Sequence, residues 1–161
     1  MPELTIKMEE LKSYHALEGE DKALVEEALA KLSHAHAPYS RFHVAAALRT
    51  SSGKCWVGTN QENASYPVGI CAERVALGIS ANLSPGEAIT ALAIVYADRG
   101  TPGRHPLAPC GMCRQAIHEQ RLRQSGPIRL ILATESGPTW SCSDADQLLP
   151  FSFSFEEAER R

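Results

Sequence analysis

Apolar positions change their spacing several times along the chain, and each change marks an element. From Asp21 the residues Leu24, Val25, Ala28 and Leu32 recur at the spacing of one helix face, among good helix formers and with Asp21 placed to cap. Ala37-Pro38-Tyr39-Ser40 ends that helix, because the residue before a proline is pushed out of the α region. Residues 42–48 and 55–59 then read as two strands joined by the turn Ser51-Ser52-Gly53-Lys54, a hairpin. A polar loop over 60–69 precedes a helix predicted at 71–82, stopped by Ser84-Pro85-Gly86. Residues 89–97 are the most apolar run and predict a buried central strand. A loop over 98–108, a helix over 110–121 with Pro109 at its start, a strand over 128–134 and a short helix over 144–149 complete the pattern.

The order helix, hairpin, helix, strand, helix, strand predicts an α/β fold with one mixed sheet of about five strands and helices on both faces, a three-layer α/β/α arrangement. Residues 1–20 read as a polar N-terminal arm or short strand ahead of a domain spanning 21–161.

Composition narrows the function classes. The chain has 161 residues, enough for one domain with a core that needs no disulfide staples. No apolar run approaches a membrane span and no signal-peptide pattern opens the chain, so the expected location is the cytoplasm. The net charge of −3 argues against a polynucleotide binder, which usually presents a basic face. Arg114, Arg121, Arg123 and Arg129 form a local basic run, but Glu119 and apolar residues interrupt it, as on a solvated helix face.

The informative chemistry lies in Cys71-Ala72-Glu73 and Pro109-Cys110-Gly111-Met112-Cys113. Three thiolates can hold a zinc ion and leave its fourth tetrahedral position for water, the layout of a catalytic site. Cys110 and Cys113 share one helix face, and Cys71 begins another helix. Both helix N-termini favour thiolate over thiol. Glu73, two residues beyond a ligand, is placed to move protons on and off the water. Arg74 is placed to offset the excess negative charge of three thiolates through a hydrogen bond to a ligand sulfur. A closed structural site would need a fourth ligand; His118 points off the ligand face, and His43 and His105 lie in no ligand motif. Cys55 and Cys142 are expected as buried core thiols.

These blocks resemble the cytidine deaminases of the small, tetrameric, three-cysteine zinc class. The likeness also takes in Pro38-Tyr39-Ser40-Arg41-Phe42-His43-Val44-Ala45-Ala46-Ala47-Leu48, Thr59-Asn60-Gln61-Glu62-Asn63-Ala64-Ser65-Tyr66 and Leu148-Leu149-Pro150. The resemblance implies zinc on Cys71, Cys110 and Cys113, with Glu73 as proton shuttle. It implies Asn60 and Glu62 on the ribose 3′-hydroxyl, Phe42 at the nucleoside pocket and the Ala72 backbone against the pyrimidine. Phe153, in the run Phe151-Ser152-Phe153-Ser154-Phe155, would stack on the base from a neighbouring subunit of a homotetramer. The implied reaction is hydrolytic deamination of cytidine and 2′-deoxycytidine in pyrimidine salvage. The nearest alternative is a deaminase of a cytosine-nucleoside antibiotic of the blasticidin type. A zinc-stabilised binding module without catalysis is the alternative from another class.

Overall fold

A computed structural model of the protein describes residues 3–155. Residues 156–161, the end of the domain expected over 21–161, lie outside the described residues. The ten elements that matter are β1 (Glu9–Leu11), α1 (Gly19–Lys31), β2 (Phe42–Thr50), β3 (Cys55–Thr59), α2 (Ala72–Leu83), β4 (Ile89–Asp98), β5 (Thr101–Pro102), α3 (Gly111–Leu122), β6 (Arg129–Leu132) and β7 (Thr139–Cys142). They build one sheet in the order β1-β7-β6-β4-β2-β3, with β5 beside β4. The β4–β6 pair is parallel and the others are antiparallel, so the sheet is mixed as expected.

Side-chain alternation divides the core into two layers. Val44, Ala46, Leu48, Leu92, Ile94, Leu130 and Leu132 point to one face, where α2 and α3 cover them with Ala72, Ala76 and Ile117. Ala45, Ala47, Ala91, Ala93, Val95 and Ile131 point to the other, under Leu24, Val25 and Ala28 of α1. Alanine dominates the α1 side of β2 and β4, which lets that helix lie close to the sheet.

The sheet has seven strands where about five were expected. The short strand allowed within 1–20 is β1, and the additions are also short: β7 spans four residues and β5 two inside the predicted loop over 98–108. β1 pairs with β7 through Glu9 opposite Ser141 and Leu11 opposite Thr139, so the N-terminal segment forms one edge of the sheet. Tyr14 and Leu17 follow it into the α1 core layer.

Two local expectations are corrected. α1 starts at Gly19 with Glu18 at its N-cap, so Asp21 sits in the first turn and does not cap. Its carboxylate reaches the sheet, bonding Arg49 of β2 at 3.2 Å and Arg129 of β6 at 2.7 Å. Cys55, expected in the core, is exposed at the start of the edge strand β3, whereas Cys142 is buried. The basic run also dissolves: Arg114 bonds the carbonyls of Pro109 and Leu148, Arg121 bonds Asp144, and Arg129 bonds Asp21. Among the described residues no helix is long and apolar enough to cross a membrane.

Candidate active site

The three cysteines expected to hold a metal sit where two helices begin. Cys71 is the N-cap of α2 and Cys110 the N-cap of α3, each with extended backbone angles, and Cys113 lies in the first turn of α3. The Cys71 carbonyl opens α2 by accepting from the amides of Arg74 and Val75, and the Cys110 carbonyl opens α3 by accepting from that of Arg114. The two positive helix ends thus converge on one cluster of sulfurs.

The Sγ atoms of Cys71 and Cys110 are 3.8 Å apart, and those of Cys110 and Cys113 are 3.5 Å apart. A tetrahedron built on Zn–S bonds of about 2.3 Å has edges of about 3.8 Å, so the sulfurs already stand close to three corners of a zinc site. Among the described residues this group has three members and no fourth protein ligand. His43 bonds the Arg41 carbonyl instead, and His118 is buried on α3 against Asp146. The donor set therefore suits zinc with an open position. A hydrogen bond from Cys113 draws the Cys71 thiol down to about 6, and Arg74 adds to the effect. The same bond, with burial, pushes the Cys113 thiol up. The Cys71 thiol is thus the more readily ionised of the two.

Glu73 lies in the first turn of α2 with only 4% of its surface exposed. Burial raises its pKa, opposed by hydrogen bonds from its own backbone amide and from Cys113. A carboxyl raised by burial takes up a proton more readily than an exposed one, the direction a group that takes and returns protons needs. Arg74 is half-buried in a groove between α2 and α3, with Leu77, Ala116 and Glu119. Its charge favours the Cys71 thiolate, but no hydrogen bond to a sulfur forms.

A cleft of about 520 Å³ opens beside Cys71, lined by Tyr39, Ser40, Asn60, Glu62, Tyr66 and Ile70 among others. Asn60 is fixed by β2: its Oδ1 accepts from the Val44 amide at 2.7 Å and its Nδ2 donates to the Phe42 carbonyl at 2.9 Å. One amide hydrogen and one lone pair of Asn60 stay available. Glu62 accepts from the amides of Tyr39 and Ser40 and from the Ser40 hydroxyl, chiefly the last of which holds its carboxyl below the usual range. A carboxylate has about four acceptor positions, so Glu62 too can take one more donor. Ionised and oriented, the pair can clamp a sugar hydroxyl. The partners Tyr39 and Ser40 escape a motif reading of Asn60 and Glu62, although Pro38-Tyr39-Ser40 precedes them as a turn signal.

The structure does not bring every expected residue into this cleft. The Phe42 ring stacks on Tyr96 at 5.1 Å, beside a recess lined by Asp98, Arg99 and Arg104. Ala72 is buried under β3 at the start of α2. Phe153 is 60% exposed, packs edge-on against Phe155 and contributes nothing to its own cleft.

Comparison with known proteins agrees with this geometry. The family model for the cytidine and deoxycytidylate deaminase zinc-binding region matches residues 18–125. The chain is similar to a cytidine deaminase of Mycoplasma pneumoniae, 46% identical over 90 residues, or 55% of this chain and 62% of that enzyme. It is similar to a cytidine deaminase of Sporosarcina psychrophila, 35% identical over 134 residues, or 83% of this chain and 91% of the relative. The crystal structure of a cytidine deaminase from Burkholderia pseudomallei superimposes with a TM-score of 0.69 and 41% identity, covering 81% of this chain and 97% of that one. Because the matched region contains all three sulfur ligands, Glu73, Asn60 and Glu62, the chain belongs to the cytidine and deoxycytidylate deaminase zinc-binding family.

Proposed function

We propose that the protein hydrolyses cytidine and 2′-deoxycytidine to uridine and 2′-deoxyuridine, releasing ammonia, in pyrimidine salvage. One observation carries the reading: Cys71, a member of the three-sulfur group and two residues before the buried Glu73 carboxyl, lines a cleft that also holds an ionised carboxylate and an oriented amide.

Cys71, Cys110 and Cys113 would hold zinc, which supplies the Lewis acidity that makes a water nucleophilic near neutral pH. Glu73 accepts a proton from the attacking water and passes it to N3 of the pyrimidine, drawing electrons from C4. As the C4–N bond breaks, Glu73 takes the proton of the new C4 hydroxyl and delivers it to the departing amino nitrogen, leaving the C4 carbonyl. The balance is cytidine plus water to uridine plus ammonia. Asn60 and Glu62 bind the ribose 3′-hydroxyl, which penalises free cytosine by leaving both groups unpaired. Phe42 walls the nucleoside pocket, and the Ala72 backbone meets the ring. Arg74 lowers the charge excess of the thiolates. Phe153 closes the site of a neighbouring subunit in a homotetramer working in the cytoplasm.

Ultraviolet absorbance tests the reaction. Zinc-replete protein should convert cytidine and 2′-deoxycytidine and leave cytosine untouched. Glu73→Gln should lower kcat by about 10³-fold or more while retaining zinc, since one carboxyl acts as both base and acid. Conversion of blasticidin S with no turnover of cytidine would refute the nucleoside reading. Near-normal turnover by Glu73→Gln would refute the proton route.

A further inference from the structure

The C-terminal run is turned inside out relative to an ordinary amphipathic segment. Phe151, Phe153 and Phe155 are 90%, 60% and 77% exposed, while Ser154 between them is buried. Something must hold a strip with its serine inward and its phenylalanines outward, because apolar burial alone would turn it over. Four of the holding groups come from α3. Arg114 Nη1 donates to the Leu148 carbonyl at 3.3 Å, and Gln115 Nε2 to the Phe153 carbonyl at 2.9 Å. His118 Nδ1 lies 2.6 Å from Asp146 Oδ1, and Arg121 Nε donates to Asp144 Oδ2 at 3.0 Å. Asp144 in turn caps the short helix Ala145–Leu148 through the Asp146 amide.

His118 is the most telling of the four. Its ring is buried, and Nε2 has no hydrogen-bond partner. An apolar side chain would fill the same space without an orphaned nitrogen. The one hydrogen bond the buried ring makes is that between Nδ1 and the Asp146 carboxylate, so the contact of His118 with the strip runs through that bond. None of Gln115, His118 or Asp146 lines the cleft beside Cys71. Yet α3 carries Cys110 at its N-cap and Cys113 in its first turn, so one rigid element fixes both the metal ligands and the outward strip.

We infer that Gln115 and His118 are positioning residues that clamp residues 146–153 along α3, and so aim Phe153 into the site of a second copy of the chain. The inference rests on the reading that Phe153 serves a neighbouring subunit, and it adds the groups that set the ring's direction. Loss of one clamp frees the strip without touching substrate or sulfur.

Gln115→Leu removes the donor to Phe153. It should raise KM for cytidine about three- to tenfold, as expected for one hydrogen bond, with kcat within about twofold and zinc content unchanged. Amides of residues 151–155 should exchange hydrogen faster by a similar factor, a readout independent of turnover. His118→Phe should do the same. His118→Asn, whose amide nitrogen can replace Nδ1, should restore both values. In a Phe153→Ala background Gln115→Leu should add nothing to KM. If Gln115→Leu does not fold, the isosteric Gln115→Glu, which cannot donate, takes its place. Unchanged KM in Gln115→Leu, when Phe153→Ala raises it, overturns the clamp alone. Unchanged KM in Phe153→Ala overturns the clamp's purpose together with the neighbouring-subunit reading.

Discussion

Gly58, on β3, has no side chain because α2 leaves no room for one. A Cβ built there would press into the Ala72 carbonyl oxygen and the Ala76 amide nitrogen, and would stand 2.8 Å from Val75 Cβ. Ordinary contact begins near 3.4 Å. In Gly58→Ala the helix must therefore retreat by about 1 Å to bring its backbone into ordinary contact, an overpacking that costs about 1–3 kcal/mol. For a domain of this size that is a fall in Tm of roughly 3–10 °C. The larger effect is local. The retreating turn carries Cys71 and Glu73, whereas Cys110 and Cys113 stay with α3. Metal–ligand distances tolerate only about 0.2 Å, so zinc should bind about tenfold or more weakly. Calorimetry of the metal-free protein measures the first effect, and competition with a chromophoric chelator the second. Gly126→Ala, where a Cβ meets nothing within 4 Å, is the control and should alter neither. If Gly58→Ala melts and binds zinc like the parent protein, the close approach of β3 does not seat α2 and the reasoning fails.

Asp21→Asn removes the carboxylate shared by Arg49 and Arg129, one of them a third exposed, and should cost about 1–3 kcal/mol in urea unfolding. Glu62→Gln should lower kcat/KM for cytidine by about 10²-fold or more without making cytosine a substrate, as paired nucleoside and base assays would show. The Glu87 carboxyl is held down to about 2 from its ordinary 4.5, first by the Lys54 ammonium and then by the Ser52 hydroxyl. A carboxyl depressed in the folded state adds stability that is full above pH 4.5 and drains as pH falls toward 2. Glu87→Gln should therefore flatten the acid side of a stability–pH curve over that window and leave its neutral side parallel to the parent's.

Long periodic elements were legible in the sequence because burial on one or both faces writes a pattern over ten or so positions. The strands at Phe42–Thr50, Cys55–Thr59 and Ile89–Asp98 and the two helices bearing the sulfur ligands fall within a few residues of their expected places. β1 and β7, with three and four residues, are too short to carry a period, and Glu9 and Glu10 resemble loop more than strand. Asp21 misleads for a different reason: a first-turn aspartate looks like a cap, while the arginines that claim it lie 28 and 108 positions away. Cys55 follows the general preference of thiols for the core, which an edge strand overrides. The convergence of Cys71, Cys110 and Cys113 is legible because their spacing on two helix starts is local. The site's supports, Ser40 under Glu62 and Gly58 under α2, become visible only when distant segments meet.

The pairing of β1 with β7 also orders events during synthesis. Leu11 leaves the ribosome about 130 positions ahead of its partner Thr139, a wait of roughly 6–25 s at common elongation rates. Through that interval the nascent chain holds Tyr14 and Leu17 without the finished edge that anchors them. Cys71, Cys110 and Cys113 all emerge earlier than Thr139. Metal capture can thus precede closure of the sheet, making zinc an early clasp between α2 and α3 as well as the seat of chemistry.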